Sequence, residues 1–190
     1  QRQMCIRDSY VTDQITLLIE RVKSRLNERL PQECIHVTSL LSYGDPPNES
    51  QLIRGKVYHY AIEELLAHEA SLLGAKVESE KTHVMDYQNR KICYTPDMIL
   101  FFPTKTILVE IKSRIDVSLN YAQKQTSIYK YLLSLEGIHI DECYIVDGEL
   151  KFKQLNCDEK TGQKILDNAL NGSILNFLNK PQTSPSNSSA

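Results

Sequence analysis

The feature that most constrains the fold of this chain is the order in which its hydrophobic periodicity changes along the sequence. Two segments at helical spacing come first, then three segments typical of strands, a helix, two short strands and a last helix. These segments lie at residues 15–30, 51–73, 75–87, 91–102, 106–113, 119–135, 142–146, 150–155 and 159–178. The order predicts an α/β fold with a central mixed sheet flanked by helices, preceded by an additional N-terminal helix.

Length and composition indicate one globular domain, and both termini differ from it in composition. The chain has 190 residues, with 41% hydrophobic and 24% charged residues, which excludes a mainly disordered protein. We assign residues 10–180 to a single domain. Residues 1–9 fit nothing that follows and are expected to be non-native or disordered, and the Pro- and Ser-rich residues 181–190 are expected to be disordered.

The net charge and the hydropathy of the sequence indicate which kinds of binding partner are compatible with this chain. The formal net charge of −2 excludes a strongly cationic, histone-like binder, although a local basic patch remains compatible with it. The sequence has no apolar run of membrane-spanning length and no Lys/Arg-then-apolar leader. We therefore expect a cytoplasmic protein that makes no membrane contact. The apolar stripe over residues 15–30 is either an oligomer contact or a helix that packs on its own domain.

The cysteine pattern predicts free thiols. The chain has five cysteines, an odd number, and none of them forms a Cys-x-x-Cys pair. We therefore expect neither a disulfide framework nor a compact zinc site, and interpret the cysteines as buried or half-buried thiols in a reducing compartment.

The most informative polar residues are Asp97, Glu110 and Lys112. Glu110 and Lys112 are two apart on a predicted strand, so their side chains leave the same face, while Ile111 faces the core. If Pro103-Thr104 is a two-residue hairpin loop, Asp97 lies directly opposite Glu110. Two carboxylates in that position repel unless a cation separates them, and hard cations such as Mg²⁺ and Mn²⁺ prefer oxygen ligands. The alternative is a solvated strand face with alternating charges.

Two helical patterns offer further polar groups. Gly55, His59 and Glu63 are spaced four apart and share one helix face, where the glycine permits close approach and the imidazole offers a ring nitrogen. Gln125 and Tyr129 are also four apart, and their polar tips could reach a phosphate or a base. Each pattern alone is more often that of an ordinary amphipathic helix than of a functional site.

Taken together and in this order, these motifs resemble the RecB-type branch of the PD-(D/E)xK nuclease superfamily over residues 34–155. The matching motifs are Gly55-x-x-x-His59-x-x-x-Glu63, Pro96-Asp97, Glu110-Ile111-Lys112 and Gln125-x-x-x-Tyr129. The CRISPR-associated Cas-four exonuclease family is the most similar branch. The resemblance implies a restriction-endonuclease-like core and a metal-dependent deoxyribonuclease that hydrolyses phosphodiester bonds.

The resemblance also implies roles for individual residues. Asp97, Glu110 and Lys112 would be catalytic, and Mg²⁺ or Mn²⁺ would be held by His59, Asp97, Glu110 and the Ile111 carbonyl. Glu63 would be either a partner that fixes the His59 ring or a surface acid. DNA would be contacted by the following residues: Gln125, Tyr129, Lys124 and Arg114.

One departure from this family concerns its iron–sulfur cluster, which its members usually hold through four cysteines. Tyr43 stands about where the first of these would be, and the C-terminal residues carry no cysteine group. We therefore predict no iron–sulfur cluster. Without it, the strand polarity of cleavage in the cluster-containing members is not carried over to this chain.

We expect this protein to be a nuclease. The preferred hypothesis is an exonuclease that acts on single-stranded or end-containing DNA. The alternatives are a non-cleaving DNA-binding or docking subunit of a DNA-processing complex, and a structure-selective endonuclease of the same superfamily. DNA is the expected partner in each case, with self-association or a larger complex as further possibilities.

Overall fold

From residue 49 onward the helices and strands follow the expected order, whereas the short strand and short helix at residues 35–40 were not predicted. The computed structural model describes residues 34–41 and 49–178, with side chains over 34–41 and 55–172. The strands are β1 (Ile35–His36), β2 (Lys76–Ser79), β3 (His83–Tyr87), β4 (Arg90–Tyr94), β5 (Met98–Phe101), β6 (Thr106–Ile111), β7 (Glu142–Val146) and β8 (Phe152–Leu155). The helices are α1 (Val37–Leu40), α2 (Glu49–Leu72), α3 (Ile115–Leu135) and α4 (Glu159–Leu178).

The predictions for the termini lie outside the described residues. These are the leader at 1–9, the additional helix at 15–30 and the tail at 181–190, together with the interpretation of Tyr43. All the described residues fall within one compact unit that spans Glu33–Ala190.

The first two predicted strands are each divided, and the prediction of continuous strands over 75–87 and 91–102 is wrong. Glu80 adopts a φ of 45°, a left-handed conformation that a regular strand cannot contain, and it separates β2 from β3. Thr95-Pro96-Asp97 separates β4 from β5, at a proline that cannot donate to a strand ladder. The halves enter different sheets: β1-β4-β3 form a three-stranded sheet and β2-β5-β6-β7-β8 form a five-stranded sheet.

The hairpin register that the sequence predicted is confirmed. Met98 pairs with Val109 and Phe101 with Thr106 in the antiparallel ladder of β5 and β6. The Phe102 amide donates to the Lys105 carbonyl over 2.9 Å, which closes the two-residue Pro103-Thr104 loop. The residue before β5, Asp97, therefore falls in register with Glu110.

Helices cover both faces of the five-stranded sheet, which confirms the mixed α/β architecture. Because side chains alternate along a strand, neighbouring residues of β6 enter different cores. Leu108 packs in a cluster with Ile128 of α3 and Leu166 of α4. Val109 and Ile111 pack in a second cluster with Ile62 of α2. None of the helices in the described part of the chain is long and apolar enough to cross a membrane.

The expectation of free thiols is wrong for four cysteines in this structure. Cys34 is bonded to Cys93 and Cys143 to Cys157, with Cα–Cα separations of 5.7 and 6.2 Å. The pairs form because parallel pairing places β1 beside β4, while β8 returns antiparallel to β7 and brings Cys157 back to Cys143. Sequence spacing carries no information on these contacts. The predicted lack of an iron–sulfur cluster stays a prediction.

Candidate metal centre

The predicted catalytic residues meet at one end of the five-stranded sheet. Strand β5 runs antiparallel to both β2 and β6, so the residues that follow β2, precede β5 and end β6 lie together. Asp97 directly precedes β5, and Glu110 is the penultimate residue of β6. Helix α2 brings His59 to this end of the sheet because Ile62, three residues further along, packs in the same cluster as Ile111.

A third acid, Glu80, joins Asp97 and Glu110 in register. The ladder of β2 and β5 ends with Ser79 opposite Met98. One residue beyond it, the Glu80 amide donates to the Asp97 carbonyl over 3.0 Å. Three neighbouring chain segments thus place carboxylates in one row, an arrangement that repels unless positive charge lies among them.

His59 faces two of these acids through a single nitrogen. Its Nε2 lies 3.1 Å from Glu80 Oε1 and 3.7 Å from Asp97 Oδ1. The other carboxylate oxygen of Asp97, Oδ2, accepts a hydrogen bond of 2.6 Å from the Ile111 amide. Asp97 is therefore held by the backbone through one oxygen while its second oxygen is directed at the imidazole.

Glu110 is fully buried and Lys112 pairs with it. The Glu110 side chain is 0% exposed and that of Lys112 is 22% exposed, and the Lys112 Nζ donates to Glu110 Oε1. The alternative of a solvated strand face is therefore wrong. Among the described residues, Glu110 Oε2 has no hydrogen-bond partner. A buried carboxylate oxygen without a donor is costly, and a cation would satisfy it.

The electrostatics of the cluster favour bound positive charge. Burial, followed by the charge of Asp97, raises the pKa of Glu110 to about 8. Burial would lower the pKa of His59, but Glu80, Asp97 and Glu63 raise it to about 9. Burial likewise opposes the charge on Lys112, but Glu110 and Asp97 raise its pKa above the usual value. Glu110, His59 and Lys112 therefore all favour their protonated forms at neutral pH in the metal-free protein.

The site opens to a small cleft at α2. The cleft is lined by Gly55, Tyr58, His59, Ile62, Ile111, Lys112 and Ser113. A Cβ placed on Gly55 would meet no atom of the described residues within 4 Å, so none of their packing contacts requires glycine there. Glu63 is only 4% exposed, which excludes the surface-acid alternative, and one of its carboxylate oxygens lies within 4.8 Å of a ring nitrogen of His59.

Gln125 and Tyr129 lie close to the site but not on its surface. They are 2% and 1% exposed, and the Gln125 amide donates to the Tyr129 hydroxyl over 2.8 Å. Burial, and after it the charge of Glu110, raises the pKa of Tyr129 well above its usual value. The predicted direct contact of these two residues with DNA does not fit their burial, because α3 turns this face inward against the sheet.

The two predicted cationic DNA contacts differ from each other. Lys124 is exposed on α3. Arg114 is also exposed, but its guanidinium pairs with Asp116 two residues further along. Lys124 thus presents an exposed ammonium, whereas a phosphate at Arg114 would compete with a carboxylate.

Sequence reasoning missed Glu80. The residue lies inside a segment that looks like one continuous strand, and its pairing with Asp97 joins segments without a tight turn between them. Ligand atoms of His59, Glu63 and Glu80 lie within 4.8 Å of one another, a spacing suited to a metal ion. Cys34, His36 and Cys93 meet the same criterion elsewhere, but their two sulfurs are joined to each other here.

The comparisons with known proteins bear on the fold. No protein-family model matches the sequence, and no functionally curated protein matches it. Among solved structures, the crystal structure of SSO0001 aligns over 89% of this chain and 88% of that chain, with a TM-score of 0.53 and 19% sequence identity. The likeness indicates a shared α/β fold and carries no activity to this chain.

The stability of the metal-free protein is expected to fall as pH rises. The pKa of Glu110 is about 8 when folded against 4.5 ordinarily, and that of His59 is about 9 against 6.5. Both groups hold protons more tightly when folded, so the contribution of Glu110 is complete below pH 4.5 and that of His59 below pH 6.5, and the two are lost progressively as pH rises to about 8 and about 9. In a chelator, we expect the midpoint of thermal unfolding to decrease from pH 6 to pH 9.

The same series on Glu110→Gln tests the assignment to this site. Because the amide does not titrate, the decrease with pH should be shallower in this variant. A midpoint that is constant or rises over this range in the wild-type protein would contradict the expectation.

Proposed function

We propose that this protein is a Mg²⁺- or Mn²⁺-dependent deoxyribonuclease with a restriction-endonuclease-like core. The observation that carries the proposal is the convergence of His59, Asp97 and Glu110 beside Lys112 at one end of the sheet, with a buried Glu110 oxygen that lacks a donor among the described residues. The order and spacing of the motifs, which resemble the RecB-type nucleases, support the same reading.

The residues present fit a hard divalent cation. They offer carboxylate oxygens from Asp97 and Glu110, one imidazole nitrogen and the Ile111 carbonyl, a set that matches the preference of Mg²⁺ and Mn²⁺ for oxygen with some nitrogen. When bound, the cation would polarise the scissile phosphate and lower the pKa of a coordinated water.

The chain's own residues would hold and orient the reacting groups. The Ile111 amide fixes Asp97 through Oδ2, so that Oδ1 is presented to the cation site. In the metal-free protein, the carboxylates of Glu110 and Asp97 raise the pKa of Lys112, so its side chain is an ammonium. An ammonium beside the cation would orient the attacking water and offset the negative charge that develops on the phosphate in the transition state.

The cleft would receive the phosphodiester backbone. Among the described residues, Gly55 leaves open space on α2 next to His59, which would admit a DNA strand near the cation. Exposed Lys124 would contact phosphates, and such contacts weaken with added salt. Gln125 and Tyr129, being buried, would support Glu110 from below and would not contact bases.

The proposal is tested by incubating the purified protein with end-labelled linear single- and double-stranded DNA in Mg²⁺, Mn²⁺ or chelator. We expect cleavage with either metal, none in chelator, and none by an Asp97→Ala control prepared in parallel. A circular single-stranded substrate separates the two modes, because an exonuclease leaves it intact and an endonuclease opens it.

Absence of cleavage on every substrate would overturn the nuclease proposal. If the protein then still bound Mn²⁺ and DNA, the result would favour the non-cleaving DNA-binding or docking subunit. Cleavage confined to branched DNA would favour the structure-selective endonuclease.

A further inference from the structure

Glu80 stands beside the candidate cation site, although the motif resemblance implies no role for it. Its Oε1 lies 3.1 Å from His59 Nε2, and Asp97 Oδ1 lies 3.7 Å from the same nitrogen. Adjacent ligand atoms in an octahedral shell with bonds of about 2.1 Å are roughly 3 Å apart. The separation between His59 Nε2 and Glu80 Oε1 matches that of adjacent ligand atoms around one ion, and Asp97 Oδ1 lies within about 1 Å of the same spacing.

The chemistry of the imidazole decides what Glu80 does when an ion binds. A ring nitrogen that ligates a metal directs its lone pair at the ion and carries no proton. Once Nε2 of His59 is occupied in this way, it has no hydrogen to offer Glu80. A carboxylate oxygen 3.1 Å from that nitrogen is then close enough to contact the same ion.

The backbone fixes Glu80 in this position. Its φ of 45° lies in the left-handed region, which residues other than glycine rarely adopt. The hydrogen bond from its amide to the Asp97 carbonyl, 3.0 Å long, ties the two acids together through the main chain. The Glu80 side chain is 33% exposed, so an ion can reach it from solvent.

We propose that Glu80 is a further side-chain ligand of the cation, next to His59, Asp97 and Glu110. The inference rests on the cation site of the proposed function and extends it by one ligand. Three carboxylates and one imidazole form a site with an excess of negative charge over a divalent ion, which favours tight binding of oxygen-preferring metals. The imidazole favours Mn²⁺ over Mg²⁺.

Calorimetric titration with Mn²⁺ alone tests the proposal on the full chain. We expect Glu80→Gln to weaken Mn²⁺ binding by at least about 10-fold, because a charged ligand is replaced by a neutral one. Glu69→Gln makes the same charge change at an exposed position of α2 and should bind Mn²⁺ as the wild type does. Glu80→Asn, whose amide tolerates a positive φ, serves if the Gln variant folds poorly.

A spectroscopic readout separates ligation from mere positioning of His59. The visible absorption of bound Co²⁺ depends on its ligand set, so loss of a ligand should change the spectrum of the Glu80→Gln protein. An unchanged Co²⁺ spectrum, or wild-type Mn²⁺ affinity in this variant, would overturn the proposal.

Failure of the proposed function is distinguishable from failure of this inference. If the wild type binds Mn²⁺, Glu80→Gln weakens that binding and no DNA is cleaved, the ligand assignment stands and the nuclease proposal falls. If the wild type cleaves DNA and Glu80→Gln keeps its Mn²⁺ affinity and Co²⁺ spectrum, only the ligand assignment falls. A wild-type protein that binds no Mn²⁺ overturns both.

Discussion

Replacing Glu110 by Gln is expected to lower DNA cleavage by about 10³-fold or more while the protein stays folded. The amide keeps the shape of the side chain but removes the negative charge that would hold the cation. Glu110 is fully buried and its Oε2 lacks a donor among the described residues, so no neighbouring carboxylate can enter its place without rebuilding the end of β6. Initial rates of cleavage in saturating Mn²⁺ measure the loss.

The stability of the same variant separates a catalytic from a structural role. Burial disfavours the charged form of Glu110 and raises its pKa to about 8, so above that pH the Gln substitution removes a costly buried charge from the metal-free protein. We expect the Gln variant to unfold, in chelator, at the same temperature as the wild type or higher. A large fall in that temperature together with retained cleavage would show that Glu110 is structural.

Glu149→Gln is the matched control for Glu110. Glu149 is exposed and pairs with Lys151 at the surface, so its substitution should leave both cleavage and stability unchanged. Asp97→Ala and Lys112→Ala should also abolish cleavage. The Asp97→Ala protein also loses the hydrogen bond that the Ile111 amide donates to Asp97. Its stability therefore says less about the cost of the buried charge than the stability of the Glu110→Gln protein does.

Replacing Gly162 by Ala is expected to destabilise the fold by about 3 kcal/mol, at the upper end of the range for overpacked interiors. Gly162 lies in α4, where a Cβ would come within 2.0 Å of the Ser127 carbonyl oxygen and 2.4 Å of its carbonyl carbon. Both atoms belong to the backbone of α3 and cannot rotate away, so the two helices would have to separate. For a chain of this size the midpoint of thermal unfolding should fall by roughly 10 °C.

Gly172→Ala is the control for this substitution in the same helix. A Cβ at Gly172 would meet no atom within 4 Å in the part of the chain that the structure describes, so alanine there should stabilise α4 by up to about 1 kcal/mol through its better helix propensity. Wild-type stability of the Gly162→Ala protein would show that α3 and α4 do not approach this closely in solution.

Local sequence information was sufficient for the order of elements and for part of the site. The two-residue Pro103-Thr104 loop fixes the β5–β6 register, so the approach of Asp97 to Glu110 could be predicted from residue numbers alone. The helical spacing of His59 on α2 gave the correct face, because turns and helices depend on neighbours close in the chain.

Contacts between segments that are distant in the sequence could not be predicted from local patterns. The disulfide between Cys34 and Cys93 depends on the parallel pairing of β1 with β4. The burial of Tyr129 depends on which face α3 turns to the sheet, since a polar tip at helical spacing is compatible with either face. A glycine within a helix, such as Gly162, looks like a weak helix former until the neighbouring backbone is located.

The sequence by itself determined the α/β order, the hairpin register and the convergence of Asp97 with Glu110 and Lys112, because each depends on short-range spacing. Only the tertiary structure decided that the strand containing Glu80 breaks there and that this acid joins His59 and Asp97. The physical reason is that pairing between β2 and β5 closes a long loop, and the register of such a pair is set by packing of the whole sheet and not by any turn.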